Sequence, residues 1–355
     1  MKEIESLIQK AIDAKKTPGA AWAVGRGDKF VTGSLGRFTY AEDSEKVTDQ
    51  TLYDLASLTK VICTTSCALV LNQRGELDLE AHANSYLAKF QHDSVTVRDL
   101  LLHRSGLPAY FNFQSKCTSP LESEEAFWQI GLRTAIPPKT EYSCLGFMTM
   151  QRIIESIAGK TLDDFAAKEV FAPLGMTSTL YTPGLEDRRK CAPTEAVADW
   201  RRKLEDSWGF VRTREDFIQG SVHDPAAFMR GGVSGNAGLF SHVADLALWA
   251  REFALGGEKL FDAAKVIEWT KRAGEASTRA LGFDTKSPEG SSAGRRFHQT
   301  SFGHTGYTGT TVWIDPASKI YAVLLTNRVH PDDKASLVGV RPQFHDLAWE
   351  FAQEL

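Results

Sequence analysis

Ser57-Leu58-Thr59-Lys60-Val61-Ile62-Cys63-Thr64-Thr65-Ser66-Cys67-Ala68-Leu69-Val70-Leu71-Asn72 reads as a helix that is apolar almost all the way round, with Gly75 placed to end it. A helix without a polar face is a buried one, so this segment marks the centre of the fold. Upstream, Ile4, Leu7, Ile8, Ala11 and Ile12 recur at helical spacing over residues 3–15 until Thr17-Pro18-Gly19 stops the run. Residues 20–24 and 30–31, punctuated by Gly25, Gly27, Gly33 and Gly36, read as strands joined by a hairpin. Downstream, the spacing predicts helices over 97–103, 123–132, 146–158, 162–171 and 241–253. The β-rich runs 310–314 and 320–326, joined by Asp315-Pro316-Ala317-Ser318-Lys319, form a second hairpin by pattern, and an amphipathic helix over 342–354 closes the chain.

Strands at both ends and helices between them predict an α+β fold: an antiparallel sheet flanked by helices, plus a mostly helical domain. The expected division is a sheet domain from residues 1–74 and 256–355, built by both termini, and a helical domain over 75–255. The charged stretch 199–216, with Trp200, Arg201, Arg202, Trp208, Arg212 and Arg214, reads as a solvated flap.

The 355 residues hold 42% hydrophobic and 24% charged side chains, which excludes disorder as the main state. With 41 Lys and Arg against 45 Asp and Glu, the net charge of −4 argues against nucleic acid as a partner. No apolar run reaches the ~18 residues of a membrane span. The acidic start Met1-Lys2-Glu3-Ile4-Glu5 is not a signal peptide, so a cytoplasmic protein is expected, or a periplasmic one if a leader has been removed. Five scattered cysteines (Cys63, Cys67, Cys117, Cys144, Cys191) do not form a disulfide framework, and Cys63 and Cys67 lack the second pair a zinc site needs.

Three constellations carry chemistry. Ser57 and Lys60 lie three apart, on one face of a helix. A serine hydroxyl needs a base to become a nucleophile, and a lysine kept neutral by burial can serve. The helix start also offers a backbone N–H and the positive dipole end to an oxyanion. The bland alternative is an N-cap serine and a solvated lysine. Tyr142-Ser143 follows Pro137-Pro138-Lys139-Thr140 and precedes a helix, so a phenol can project from a fixed turn and share a proton with the serine and lysine. Gly303-His304-Thr305-Gly306-Tyr307-Thr308-Gly309 lets a substrate backbone approach a strand closely.

In this order, Ser57-Leu58-Thr59-Lys60, Tyr142-Ser143-Cys144 and His304-Thr305-Gly306 resemble the serine β-lactamase and penicillin-binding DD-peptidase superfamily, closest to its class C β-lactamase and esterase branch. Supporting segments are Tyr53-Asp54-Leu55-Ala56, Leu101-Leu102-His103-Arg104-Ser105-Gly106-Leu107-Pro108 and the glycine-rich residues 232–241. The resemblance implies a β-lactamase/transpeptidase-like fold with Ser57 acylated, Lys60 as its base partner and Tyr142 as the second proton-transfer group. It also implies an oxyanion hole from the N–H groups of Ser57 and Tyr307, with His304, Thr305, Gly306, Tyr307 and Cys144 on the substrate. Two departures stand out. Cys144 replaces a frequent asparagine with a poor donor, and His304 replaces a lysine and carries charge only below its pKa, near ~6.5 if unperturbed.

The expected function is a cofactor-free serine hydrolase that works through an acyl-serine on a small ester, amide or β-lactam. Alternatives are a D-amino-acid-specific peptidase or penicillin-binding carboxypeptidase, and a non-catalytic penicillin-binding sensor. The partner is a small molecule or short peptide. A formal G-x-S-x-G at 290–294 lacks the preceding apolar strand of a nucleophile elbow, no H-E-x-x-H occurs, and His103 is expected to cap or pack its helix end rather than bind metal.

Overall fold

In the computed structural model, which describes residues 1–133 and 140–355, helix α1 (Lys2–Asp13) leads into the hairpin of β1 (Gly19–Arg26) and β2 (Lys29–Gly36). Three short strands, β3 (Tyr53–Asp54), β4 (Leu180–Tyr181) and β5 (Leu239–Ser241), make a small second sheet in the order β3-β5-β4. The main sheet adds β6 (Asp284–Thr285), β7 (Phe302–Thr305), β8 (Thr311–Asp315) and β9 (Ile320–Thr326) in the order β2-β1-β9-β8-β7-β6, with every pair antiparallel. The expected sheet flanked by helices is present, and both chain ends build it through the β1–β9 pair, with Trp22 opposite Leu324.

The helices that matter for the site are α2 (Ser66–Gln73), α3 (Cys144–Ala158), α4 (Val243–Ala254) and α5 (Val340–Ala352). Period-two alternation sorts the sheet's side chains between two layers. Ala20, Trp22, Val24, Ala322 and Leu324 share a cluster with Ile4 and Ile8 of α1 and Phe344 and Ala348 of α5. Ala21, Ala23, Tyr321, Val323 and Leu325 face the other way, into a core that also holds Leu69, Ile153, Trp249 and Phe253. That core runs without a break from the sheet into the helices, and α4, expected with residues 75–255, contacts β1, β8 and β9.

The buried helix begins differently from the regular one expected over 57–72. Residues Lys60–Thr65 form a π-helical turn before α2, and Gly75 adopts the expected left-handed conformation (φ 75°) just beyond its end. Ser143 starts α3 two residues earlier than the spacing suggested, because its Oγ accepts the Gly146 N–H (3.2 Å). Likewise the expected 123–132 helix spans Pro120–Trp128, started by Ser119 and by a proline at its first position. Of 241–253, the first residue belongs to β5, and His242 caps the helix.

The expected solvated flap at 199–216 is a correction. Its helix, Asp199–Ser207, buries Arg201 and Glu205 against each other (2.9 Å), and Arg212 reaches the same carboxylate (3.2 Å). The Arg201 guanidinium also lies 4.0 Å from the Phe228 ring centre, and Trp208 stacks on that ring at 5.0 Å. Ion pairing and cation–π contact let a charge-rich stretch dock, which composition cannot reveal.

One glycine fixes the edge of the sheet. Gly33 pairs with Trp22, and a Cβ at Gly33 would stand 2.5 Å from the indole, which is fully buried. Gly33→Ala is expected to lower unfolding free energy by about 1–3 kcal/mol, as overpacking does. Urea denaturation checks it, and a loss below about 0.5 kcal/mol would contradict this packing.

Candidate active site

Ser57 stands where the small sheet hands over to the buried helix. Asp54, at the end of β3, accepts the Ala56 N–H (2.8 Å) and the His223 N–H (2.6 Å), and Ala56 takes a positive φ of 47°. The turn therefore enters the helix in a strained conformation held by a buried carboxylate. Ser57 caps nothing with its side chain. Its Oγ instead accepts a hydrogen bond from Lys60 Nζ at 3.1 Å.

Lys60 is completely buried, and its ammonium has three partners for three donors: Ser57 Oγ (3.1 Å), the Asn236 carbonyl (2.9 Å) and Cys144 Sγ (3.6 Å). Burial alone pushes the lysine pKa down. Cys144, Tyr142 and Asp224 outweigh it, and the net direction is upward. Lys60 rests as an ammonium, which corrects the expectation that burial keeps it neutral.

Asn236 sits within the glycine-rich 232–241 stretch, pinned beneath Lys60 by Thr64 Oγ1 to Gly235 O (2.7 Å), Gly235 N–H to Gln151 Oε1 (3.0 Å) and Ser234 Oγ to Asn236 Oδ1 (2.7 Å). Gly235 has to be glycine, since a Cβ there would meet the Phe147 carbonyl at 2.2 Å.

Tyr142 ends the loop before α3. The preceding Pro137-Pro138-Lys139 turn lies outside the described residues. The Tyr142 ring centre is 4.9 Å from Lys60 Nζ, 4.5 Å from the His103 ring and 5.8 Å from the His304 ring. Its hydroxyl is buried without a hydrogen-bond partner among the described residues. Burial raises the phenol pKa, Lys60 opposes this, and the net direction is upward.

The His304-Thr305-Gly306-Tyr307 strand end is stitched to the turn that carries Ser57. Thr308 Oγ1 donates to Asp54 O (2.7 Å) and Thr310 Oγ1 to Leu55 O (3.0 Å), so Gly306 passes too close for a side chain. Among the described residues, the backbone N–H groups of Ser57 and Tyr307 have no protein acceptor. His304 Nδ1 lies 2.8 Å from the Thr305 carbonyl. A carbonyl only accepts, so Nδ1 carries the hydrogen and Nε2 is a bare acceptor. Burial, reinforced by Arg279 and Lys60, holds the His304 pKa well below its usual value, so it is not the pH-switched cation expected from the sequence.

Ser57, Tyr142, His304, Thr305, Gly306 and Tyr307 line one open cavity of about 570 Å3. Cys144 is not in its lining, because its sulfur is turned onto Lys60. Sequence reading missed three arginines in the same lining, Arg279, which stands 5.3 Å from the Tyr142 ring centre, Arg328 and Arg341. Arg279 has Asp284 at 4.0 Å, while Arg328 and Arg341 donate to backbone carbonyls only. Burial and Arg328 pull the Arg341 pKa down to about 10, so it remains a cation at neutral pH. No local pattern marks these three. Asn236 had one, in the Gly235-Asn236 step of the glycine-rich stretch.

The family model described as Beta-lactamase matches residues 4–340. An N-acetylmuramyl-L-alanine amidase of Bacillus subtilis (strain 168) is 32% identical, covering 93% of this chain and 81% of that protein. A putative D-alanyl-D-alanine carboxypeptidase of Escherichia coli (strain K12) is 31% identical over 81% of this chain and 72% of its own. Among solved structures, the class C beta lactamase from Rhodobacter sphaeroides aligns at TM-score 0.74 and 18% identity, covering 99% and 100% of the two chains. EstCE1, a hydrolase with promiscuous acyltransferase activity, aligns at TM-score 0.77 and 18% identity over 98% of each. Both likenesses are of fold.

Buried neutral His103, His304 and His345 have pKa values pushed down chiefly by burial, His345 to about 3. Unfolded, each binds a proton below about 6.5, so stability is complete above that pH and falls as the medium is acidified. NMR of the imidazole Cε1–H signals should show all three neutral from pH 8 down to pH 5. An inflection near 6.5 for His304 would overturn its assignment as a neutral acceptor.

Proposed function

The chain belongs to the beta-lactamase family and is a serine hydrolase of it, and from that premise we propose that Ser57 is its acylated nucleophile, with Lys60 and Tyr142 as its proton-transfer pair. The observation that carries this reading is the fully partnered Lys60 ammonium, hydrogen-bonded to Ser57 Oγ and standing over the Tyr142 ring. Ser57 Oγ adds to the substrate carbonyl and its proton passes to the pair. The carbonyl oxygen becomes an oxyanion held by the N–H groups of Ser57 and Tyr307. Tyr142 returns the proton to the leaving group as the carbon–heteroatom bond breaks. Water then adds to the acyl-serine and releases the acid.

Lys60 contributes mainly charge. Its ammonium offsets part of the burial that raises the Tyr142 pKa, so the phenolate that forms as pH rises is the base and the lysine is its counter-ion. Cys144 serves as an acceptor for Lys60, while His304 and Thr305 face the substrate.

The lining arginines favour substrates with a carboxylate beyond the scissile bond. Peptides with a free C-terminus and β-lactams carry one, and neutral esters do not. Arg341 and Arg328, with no carboxylate partner among the described residues, support this. A D-amino-acid peptidase, the second reading, meets the same requirement, and the carboxypeptidase relative favours it. The small anionic or peptide partner, rather than nucleic acid, accords with the net charge of −4. Among the described residues no helix is long and apolar enough to cross a membrane. The five unpaired cysteines support a reducing compartment.

Intact-mass spectrometry after mixing with a chromogenic cephalosporin tests the reading. An adduct on wild type that Ser57→Ala lacks is expected. Rapid colour release with it identifies β-lactam turnover, and a persistent adduct a peptidase-like site. Full hydrolytic activity in Ser57→Ala overturns the proposal, and binding without any acylation identifies a sensor.

Both the Lys60 and Tyr142 pKa values are raised, so the resting pair holds both protons at neutral pH and becomes a base as pH rises. Acylation kcat/KM should therefore climb from pH 6 to pH 9 without an acid-side plateau. A flat profile would remove the pair as the base.

A further inference from the structure

His103 stands outside the mechanism, yet it bonds the residues on both sides of Tyr142 and packs against its ring. It follows the short helix Val97–Leu101 and is buried, with a left-handed φ of 55°. That conformation ordinarily falls to glycine or asparagine after a helix, and a histidine there costs about 1 kcal/mol or more. The strain persists because the surroundings fix the residue on every side. Its Nδ1 accepts the Ser143 N–H at 3.0 Å, and its carbonyl accepts the Glu141 N–H at 2.9 Å. These are the two residues flanking Tyr142. Its ring lies 4.5 Å from the Tyr142 ring and 5.0 Å from that of Phe147, whose own ring centre is 5.9 Å from Lys60 Nζ.

We infer that His103 is a positioning residue for Tyr142, clamping the chain on both sides of the phenol and backing its ring so that the hydroxyl is held beside Ser57 and Lys60. The inference rests on the proposed role of Tyr142. The alternative, a histidine that merely ends a helix, does not account for a side chain directed away from its own helix onto the loop before α3. The tautomer follows from the bonds. Nδ1 accepts from a backbone N–H, so it is bare, and the hydrogen sits on Nε2, which has no partner among the described residues. Tyr142 thus has two imidazole rings as neighbours, His103 with its hydrogen on Nε2 at 4.5 Å and His304 with its hydrogen on Nδ1 at 5.8 Å between ring centres. Neither competes for its proton as a charged group: burial pushes the His103 pKa well below its usual value, as it does for His304.

The test is a double-mutant cycle on acylation, with His103→Asn, His103→Phe and Tyr142→Phe, each checked for thermal unfolding. Asparagine tolerates a left-handed φ and loses the ring, while phenylalanine keeps a ring and loses the acceptor. Each His103 variant should lower kcat by about tenfold or more with KM within about threefold, because misplacing a reacting group costs rate rather than binding. In a Tyr142→Phe background the same substitutions should cost less than about twofold, since the group they position is gone. A stability loss alone would be felt equally in both backgrounds. If Tyr142→Phe slows acylation but the His103 variants do not, or cost the same factor in both backgrounds, the clamp is wrong and the Tyr142 role stands. If Tyr142→Phe acylates at the wild-type rate, both fall. Should one His103 variant fail to fold, the other reads the cycle.

Discussion

A buried ammonium has to be given acceptors, and the structure around Lys60 is arranged to supply them. Three come from three separated parts of the chain: Ser57 from the same helical turn, Cys144 from the start of α3 and the carbonyl of Asn236 from the glycine-rich stretch. Leaving any of these N–H groups without a partner in a fully buried site would cost the desolvation of a charge. This requirement ties the first turn of the central helix, α3 and residues 232–241 to one point. The π-helical turn at Lys60–Thr65 sits there as well, a departure from regular helix at the residue that is most constrained.

The same tie accounts for the division of labour in the site. The sheet contributes the His304-Thr305-Gly306-Tyr307 strand end, locked to the turn before Ser57 by the hydroxyls of Thr308 and Thr310. The buried helix contributes the lysine, and the loop before α3 contributes the tyrosine. A continuous core beneath both keeps the two contributions in register. The cavity is lined by the strand end, by Ser57 and Tyr142, and by three arginines that pack directly on them: Arg279 over the Tyr142 ring at 5.3 Å, and Arg328 and Arg341 donating to the carbonyls of Tyr307 and Gly306. The protonated lysine also changes how the site is understood. Its pKa is net raised despite burial, by Cys144, Tyr142 and Asp224, so an ammonium stands beside Tyr142.

How much of this could be read in the chain varies by residue. The two hairpins and the buried helix were legible, because period-two alternation and an all-round apolar stretch are local properties. The small β3-β5-β4 sheet was not. Strands of two or three residues carry no period, and tertiary placement alone holds them. Ser57, Lys60, Tyr142 and the strand at His304 were legible as motifs, and they do converge on one site. Arg279, Arg328 and Arg341 were invisible, since isolated arginines in separate segments look like surface charge. The stretch 199–216 misled for the related reason that buried ion pairs have the composition of a solvated face.

The sequence by itself determined the two hairpins, the buried helix, their order and the candidate reactive groups, because helical and strand periods and the serine–lysine spacing are written along the chain. Only the tertiary structure decided the protonation of Lys60 and His304, the turning of Cys144 away from the substrate cavity and the packing of His103 against Tyr142. Charge state and side-chain contact depend on which distant groups share a buried volume, and one-dimensional spacing carries no record of that volume.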